Sequence, residues 1–215
     1  MDARVLVVED DGFTRMLLCA QVRELGFSVV GDTGSVAEAV LLLRDHQPDA
    51  TLVDLDLGEG PTGVDFAYAA RRVLPNVGIL MLSTYADVRL MGVTRPLPLG
   101  SIYLVKRAVE QSSILDAALR MAIDPRLYGD LENLLPQNIL PKMSNSQIEV
   151  MRLVADGFSN AEISRRRQLT EGAVAKSIAR LVQQLGLSRG PGENQRVLIA
   201  QAYFLFAGTV SLRRD

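Results

Sequence analysis

The chain reads as an α/β fold, a five-stranded parallel sheet with its helices, followed by a small all-α domain. Three observations predict this. Five short apolar runs alternate with helix-length segments over residues 1–121, the pattern of βαβ units and a parallel sheet. After a break at residues 122–142, spaced by Pro125, Pro136 and Pro141, the punctuation over residues 143–210 is helical. The charge divides in the same way. Residues 1–140 carry 12 Lys and Arg against 19 Asp and Glu, a balance of −7, whereas residues 141–215 carry 11 against 6, a balance of +5. An acidic front and a basic back suggest two domains with different partners, the second a binder of nucleic acid.

The apolar runs fall at residues 5–8, 29–31, 51–53, 78–82 and 102–105. The first begins almost at the amino terminus, so no signal peptide is expected. No apolar run approaches the ~20 residues of a membrane span. Cys19 is the single cysteine, which excludes an intrachain disulfide and leads to an expected cytoplasmic location without a membrane partner. His46 is the single histidine, an argument against Ser-His-Asp or Cys-His catalysis and against a His/Cys zinc site.

Helix signals fill the gaps. Residues 13–25 carry apolar side chains at helical spacing and stop at Gly26. Ser35-Val36-Ala37-Glu38 reads as a capping box opening a helix through Leu43. Residues 109–121 place Ile114, Leu115, Ala118 and Met121 on one face. Between the fourth and fifth runs, Pro96 and Pro98 allow only a short helix after Tyr85.

The organising stretch is Ala50-Thr51-Leu52-Val53-Asp54-Leu55-Asp56-Leu57-Gly58. It is a buried strand running into a carboxylate and then a loop with Gly58, Gly60, Pro61 and Gly63. Ligands of open α/β sheets lie beyond the carboxyl ends of the strands. The first strand ends in Glu9-Asp10-Asp11, the third in Asp54, the fourth in Ser83-Thr84 and the fifth in Lys106. Carboxylates, a hydroxyl and an ammonium should therefore meet on one edge.

Val5-Leu6-Val7-Val8-Glu9-Asp10-Asp11, Pro48-Asp49-Ala50-Thr51-Leu52-Val53-Asp54, Leu82-Ser83 and Tyr103-Leu104-Val105-Lys106 resemble the receiver domain of two-component response regulators. The resemblance implies a flavodoxin-like fold of strand order 2-1-3-4-5. It implies Asp54 as the phosphoacceptor, served by a sensor histidine kinase or a small phosphodonor. A carboxylate nucleophile forming an acyl phosphate is a recognised covalent route, and hard oxygen ligands suit Mg²⁺. In the resemblance Glu9, Asp10, Asp54 and the backbone carbonyl of Asp56 hold Mg²⁺, and Lys106 pairs with a phosphoryl oxygen. Ser83 hydrogen-bonds that group, and Tyr103 is the aromatic that changes rotamer with it. Gly58 stands where the family usually has proline. A rival reading is an aspartate-nucleophile phosphatase, because Asp54-Leu55-Asp56 after an apolar strand also resembles the haloacid-dehalogenase-type motif, with Asp56 as general acid.

In the back half, Ser144-Asn145-Ser146-Gln147 is a capping box whose helix closes at Gly157. Ser159-Asn160-Ala161-Glu162 reads as another, opening a short helix to about Arg167. Thr170 caps a third helix over residues 171–185, and a fourth runs from about Gln195 through Phe206. The tight turn Gln168-Leu169-Thr170 suits a helix-turn-helix, although a plain four-helix bundle would share much of the pattern.

The stretch from Glu149 through Gly157-Phe158-Ser159-Asn160-Ala161-Glu162-Ile163 to Arg165 resembles the LuxR-type DNA-binding domain, as do Leu169-Thr170-Glu171-Gly172-Ala173-Val174 and Leu185-Gly186-Leu187. Receiver and LuxR-type domain in this order resemble the NarL/FixJ class of transcriptional regulators, which implies binding to double-stranded promoter DNA as a homodimer. Val174, Ile178, Leu181 and Leu185 should face the core of the third helix. Its opposite face presents Ala175, Lys176, Ala179, Arg180 and Gln183, with Ser177 beside them. Thr170 can offer a donor to a phosphate, and Arg165 and Arg166 are candidate phosphate contacts. Alanine stands at 175 where the family usually has lysine, and Arg167 replaces a usual leucine. The remaining alternative is an adaptor that binds protein through a degenerate helix-turn-helix.

Overall fold

The computed structural model describes residues 2–92, 95–130, 143–187 and 194–207. Residues up to Ser83, together with those from Arg95 through the rest of the front half, form one compact unit. Residues 84–92 cluster instead with the C-terminal helices, in a second unit.

In the first unit, β1 (Arg4–Val8), β2 (Ser28–Thr33), β3 (Ala50–Asp54), β4 (Gly78–Ser83) and β5 (Ser101–Val105) form one parallel sheet in the order β2-β1-β3-β4-β5. β3 and β4 are buried along their whole length. That is why they read as continuous apolar runs rather than alternating ones. α1 (Gly12–Glu24) and α4 (Ser112–Ile123) cover one face, where Leu18, Val22, Leu115 and Leu119 share a core with Val7, Leu52, Leu80 and Leu104. α2 (Val36–His46) and α3 (Gly63–Val73) pack on one another. Leu43 on α2 and Phe66, Ala67 and Ala70 on α3 are fully buried and stand outside the cluster shared by α1 and α4.

Several local expectations change in the folded chain. Ser35 heads α2 but its side chain caps nothing. The Glu38 carboxylate instead accepts from Thr33 Oγ1 at 2.5 Å, and Thr33 Oγ1 accepts the Ser35 N–H at 3.1 Å. α2 runs three residues past Leu43 and ends on Gln47 at φ 44°. α3 follows directly on the glycine- and proline-rich loop, in a stretch where no helix is expected; Thr62 and Asp65 cap its start reciprocally. The helix expected over 109–121 is a 3-10 turn, Lys106–Glu110, followed by α4.

Gly63 opens α3 with no room for a side chain. A Cβ there would lie 2.1 Å from the carbonyl oxygen of Asp54 and 3.0 Å from Leu55 Cα. Gly63→Ala must push α3 off the end of β3, and overpacking of that kind costs about 1–3 kcal/mol. A lower urea midpoint for the front unit, with the far edge of the sheet unaltered, is the expected result. An unchanged midpoint would show that this approach is looser than it stands here.

The second unit holds α5 (Asn145–Ala155), α6 (Asn160–Arg167), α7 (Glu171–Gln184) and α8 (Gln195–Phe206). Ile148, Met151, Ile163, Val174, Ile178, Leu181 and Ile199 form its core. The capping box at Ser144 and Gln147 forms in both directions. At Ser159 only half of one forms. Its hydroxyl accepts the Glu162 N–H at 3.2 Å, while the Glu162 carboxylate turns to Arg165 and Arg166. Between α6 and α7 the chain turns on Gln168 at φ 52°. Leu127 is exposed in the 3-10 turn Pro125–Asp130. Leu131, Leu134 and Leu135, read as part of a short amphipathic turn, lie outside the described residues.

Candidate functional site

Strand register delivers the polar residues to one edge. Val8 lies across from Val53, Asp54 from Leu82, and Ser83 from Val105. Glu9, Asp54, Ser83 and Lys106 therefore sit at or just past the carboxyl ends of β1, β3, β4 and β5. Lys106 Nζ donates to Glu9 Oε2 at 2.7 Å and to Asp54 Oδ2 at 2.9 Å. One carboxylate oxygen from each of Glu9, Asp10 and Asp54 lies within 4.8 Å of the others.

Burial makes this cluster costly. Glu9, Asp54 and Ser83 are 1%, 6% and 1% exposed, whereas Asp10 faces solvent. Desolvation lifts the Glu9 carboxyl to about 7 against the pull of the Lys106 hydrogen bond, and the Asp54 charge adds to the lift. Desolvation also raises Asp54, opposed by Lys106 and by the backbone N–H of Asp56. Burial pulls the Lys106 ammonium down, but its bonds to both carboxylates outweigh that and hold it above its ordinary value. Three carboxylates around one ammonium leave excess negative charge, which favours a hard cation.

The raised Glu9 value has a stability consequence in metal-free buffer. The folded chain holds this proton more tightly than the unfolded chain, whose value is near 4.5. The stability it contributes is complete below about pH 4.5 and is lost as pH rises through about 7. Glu9→Gln should flatten the fall in urea midpoint across that window. Equal slopes in both proteins would mean that Glu9 titrates as in free solution.

Neighbouring residues hold the edge in place. Asp11, third of the acidic run, caps α1 by accepting the Thr14 N–H at 2.7 Å. Arg15 is a positioning residue that sequence reasoning missed. Its Nη1 donates to the Glu9 carbonyl at 2.6 Å and its Nε meets Asp32 Oδ2 at 3.2 Å. Its place one helical turn after the acidic run was the available signal. Gly58 stands at φ 76°, a conformation closed to proline. The Asp56 side chain is exposed, and Tyr103 lies half-buried on β5 across from Met81.

A second polar surface lies on α7. Val174, Ile178, Leu181 and Val182 are buried there, while Ala175, Lys176, Ala179, Arg180 and Gln183 are exposed. Ser177 is half-buried between the two faces. Among the described residues neither Lys176 nor Arg180 is ion-paired. Arg165 and Arg166 differ: both pair with Glu162, and Arg166 lies 3.8 Å from the centre of the Phe158 ring. Arg167 reaches back to Ser146 Oγ at 3.0 Å. Thr170 Oγ1 accepts the Ala173 N–H at 3.2 Å and keeps its own O–H to donate. No helix among the described residues is long and apolar enough to cross a membrane.

Comparison with known proteins covers both units. Residues 5–118 match the family model of the response regulator receiver domain, and residues 141–189 match that of the luxR family of bacterial regulatory proteins. The DNA-binding transcriptional activator DevR/DosR of Mycobacterium tuberculosis is 29% identical over 75% of this chain and 77% of its own length. The response regulator protein VraR of Staphylococcus aureus is 24% identical over 86% of this chain and 91% of its own. Among solved structures, the two-component response regulator RcsB in complex with DNA aligns at a TM-score of 0.58 and 17% identity, covering 96% of this chain and 99% of that one. RcsB of Salmonella enterica bound to the rprA promoter aligns at 0.54 and 18%, covering 95% and 99%. At these identities the structures speak for the fold.

Proposed function

The chain belongs to the response regulator receiver family, and from that premise we propose that Asp54 is its phosphoacceptor, with Lys106 and Ser83 completing the site. With its LuxR-type domain the protein is a DNA-binding transcription regulator of the NarL/FixJ class. The observation that carries the phosphoacceptor reading is the convergence of Glu9, Asp10, Asp54 and Lys106 at one sheet edge.

Glu9, Asp10 and Asp54, with the backbone carbonyl of Asp56, would hold Mg²⁺, for which their hard oxygen donors are suited. When bound it supplies neutralising charge to the incoming phosphoryl group. An Asp54 carboxylate oxygen bonds to phosphorus as the bond from phosphorus to the donor's leaving atom breaks. The donor is a histidine kinase or a small phosphodonor. Lys106 Nζ, already 2.9 Å from Asp54, exchanges a carboxylate for a phosphoryl oxygen, and the Ser83 hydroxyl donates to another. Tyr103 follows the hydroxyl as the surface rearranges. Promoter DNA is read by the exposed face of α7 through Lys176 and Arg180. Ser177, Thr170, Arg165 and Arg166 contact phosphates, two copies of the chain bind one operator, and the protein works in the cytoplasm.

The test is peptide mapping after incubation with acetyl phosphate. A Mg²⁺-dependent acyl phosphate should appear on Asp54 and nowhere else. Modification at another carboxylate would reassign the acceptor.

A further inference from the structure

The exposed face of α7 is chemically uneven. Gly172, Ala175, Lys176, Ala179, Arg180 and Gln183 all stand open to solvent along it. Ala175 and Ala179 lie one helical turn apart, and Lys176 and Arg180 repeat that step one residue on. Each alanine is thus followed directly by a cation. Among the described residues of the helical unit, the exposed alanines are these two alone. The exposed positions of α5, α6 and α8 carry polar or larger side chains, such as Asn145, Ser146, Arg165, Arg166, Gln201 and Leu205. The two bare methyl groups are therefore confined to the face that also carries the unpaired cations.

Gly172 keeps the same face low. It lies in the first turn of α7, where a Cβ would meet only Thr170 Oγ1, at 4.0 Å. The fold has room for a side chain there. Its backbone is helical rather than left-handed, so no turn calls for glycine either. Within a helix glycine is less stable than alanine. What it supplies is bare backbone one turn before Lys176. A helix lying in the major groove meets base edges through its N-terminal residues, and a face without bulk in that turn can approach them closely.

We propose that Ala175 and Ala179 select thymine: each half-site places two thymine C5-methyl groups against them, beside guanines held by Lys176 and Arg180. The inference rests on α7 as the DNA-reading helix. In the major groove thymine alone presents a methyl group, and alanine is among the side chains that pack on it. The amino, carbonyl and ring-nitrogen groups of the other base edges need hydrogen bonds. An alanine pressed against one of them removes its water and returns no partner, so those bases are disfavoured at the same step. Lys176 and Arg180 carry donors only, which the O6 and N7 acceptors of guanine satisfy. Four residues of helix advance about 6 Å, against about 3.4 Å for each base step along a strand. The two thymines should therefore fall within about two steps of each other.

The experiment titrates the full-length protein against a duplex recovered by selection from random DNA, with each thymine replaced in turn by deoxyuridine. That replacement deletes the C5 methyl and leaves base pairing intact. Two positions in each half-site should each lose affinity by about 4-fold, the worth of one buried methyl group. A second selection uses the double variant Ala175→Gln/Ala179→Gln, since glutamine is a good helix former and pairs with adenine rather than with a methyl group. Thymine should no longer be enriched at those two steps. Binding that is indifferent to every deoxyuridine would overturn the thymine selection and leave DNA recognition by α7 standing. Thymine still enriched at the same steps by the double variant would overturn it too, because other groups would be meeting the methyls. Selection that recovers no preferred duplex with the wild-type protein would instead overturn sequence reading by α7, and the thymine selection with it.

Discussion

Asp54→Asn is expected to take up no phosphoryl group from acetyl phosphate under conditions that modify the wild-type chain. Asparagine keeps the shape of the side chain and its place 6% exposed at the end of β3, but its amide is no nucleophile. The same change carries a second, independent signature. Glu9 and Asp54 share the Lys106 ammonium at 2.7 and 2.9 Å, and burial raises the protonation value of both carboxyls. Removing one anion leaves a matched Glu9–Lys106 pair, so the front unit should melt no lower in metal-free buffer. A gain of about 2–4 °C would correspond to ~1 kcal/mol. Asp56→Ala should retain labelling, because that side chain is exposed and its proposed part is played by the backbone. Hydrolysis of small phosphate esters, lost in Asp56→Ala, would favour the phosphatase reading instead. A melting temperature well below wild type in Asp54→Asn would show that the buried pair stabilises more than its desolvation costs.

Lys176→Ala/Arg180→Ala should weaken DNA binding by roughly 30-fold or more, since a good base contact is worth about 1–3 kcal/mol. Each phosphate no longer neutralised should also flatten the salt dependence by about 0.9 in log–log slope. Arg165→Ala should cost far less, because Glu162 already holds that guanidinium by an ion pair that DNA would have to break. The measurement is titration of full-length protein against a duplex recovered by selection from random DNA, at several salt concentrations. Unchanged affinity and slope in the double variant would support the adaptor reading. A weakening in Arg165→Ala equal to that in the double variant would shift the interface toward α6.

The proposed site was largely legible before folding, because strand ends are legible. An apolar run that stops at a charged or hydroxyl residue announces both the strand and its edge, and four such stops share an edge in any parallel sheet. α3 escaped the same reading for a local reason. Gly58, Gly60, Pro61 and Gly63 hid the Thr62/Asp65 cap, and glycine is a poor helix former. The box at Ser35 failed for a local reason as well: Thr33, two residues earlier at the end of β2, took Glu38 first. The ion pairs of Arg165 and Arg166 with Glu162 were within reach, since they follow i,i+3 and i,i+4 spacing.

What the amino-acid sequence determined by itself was periodicity and punctuation: the alternation that makes a parallel sheet, the caps that start α5 and α7, and the carboxylates, hydroxyl and lysine at the strand ends. Those properties need only residues near one another in the chain. Tertiary structure alone decided how strongly Glu9 and Asp54 are desolvated around Lys106, and that Leu90, coded between two receiver strands, completes the core of the helical unit. Burial and partnership between distant residues depend on which surfaces meet, and no local spacing encodes that.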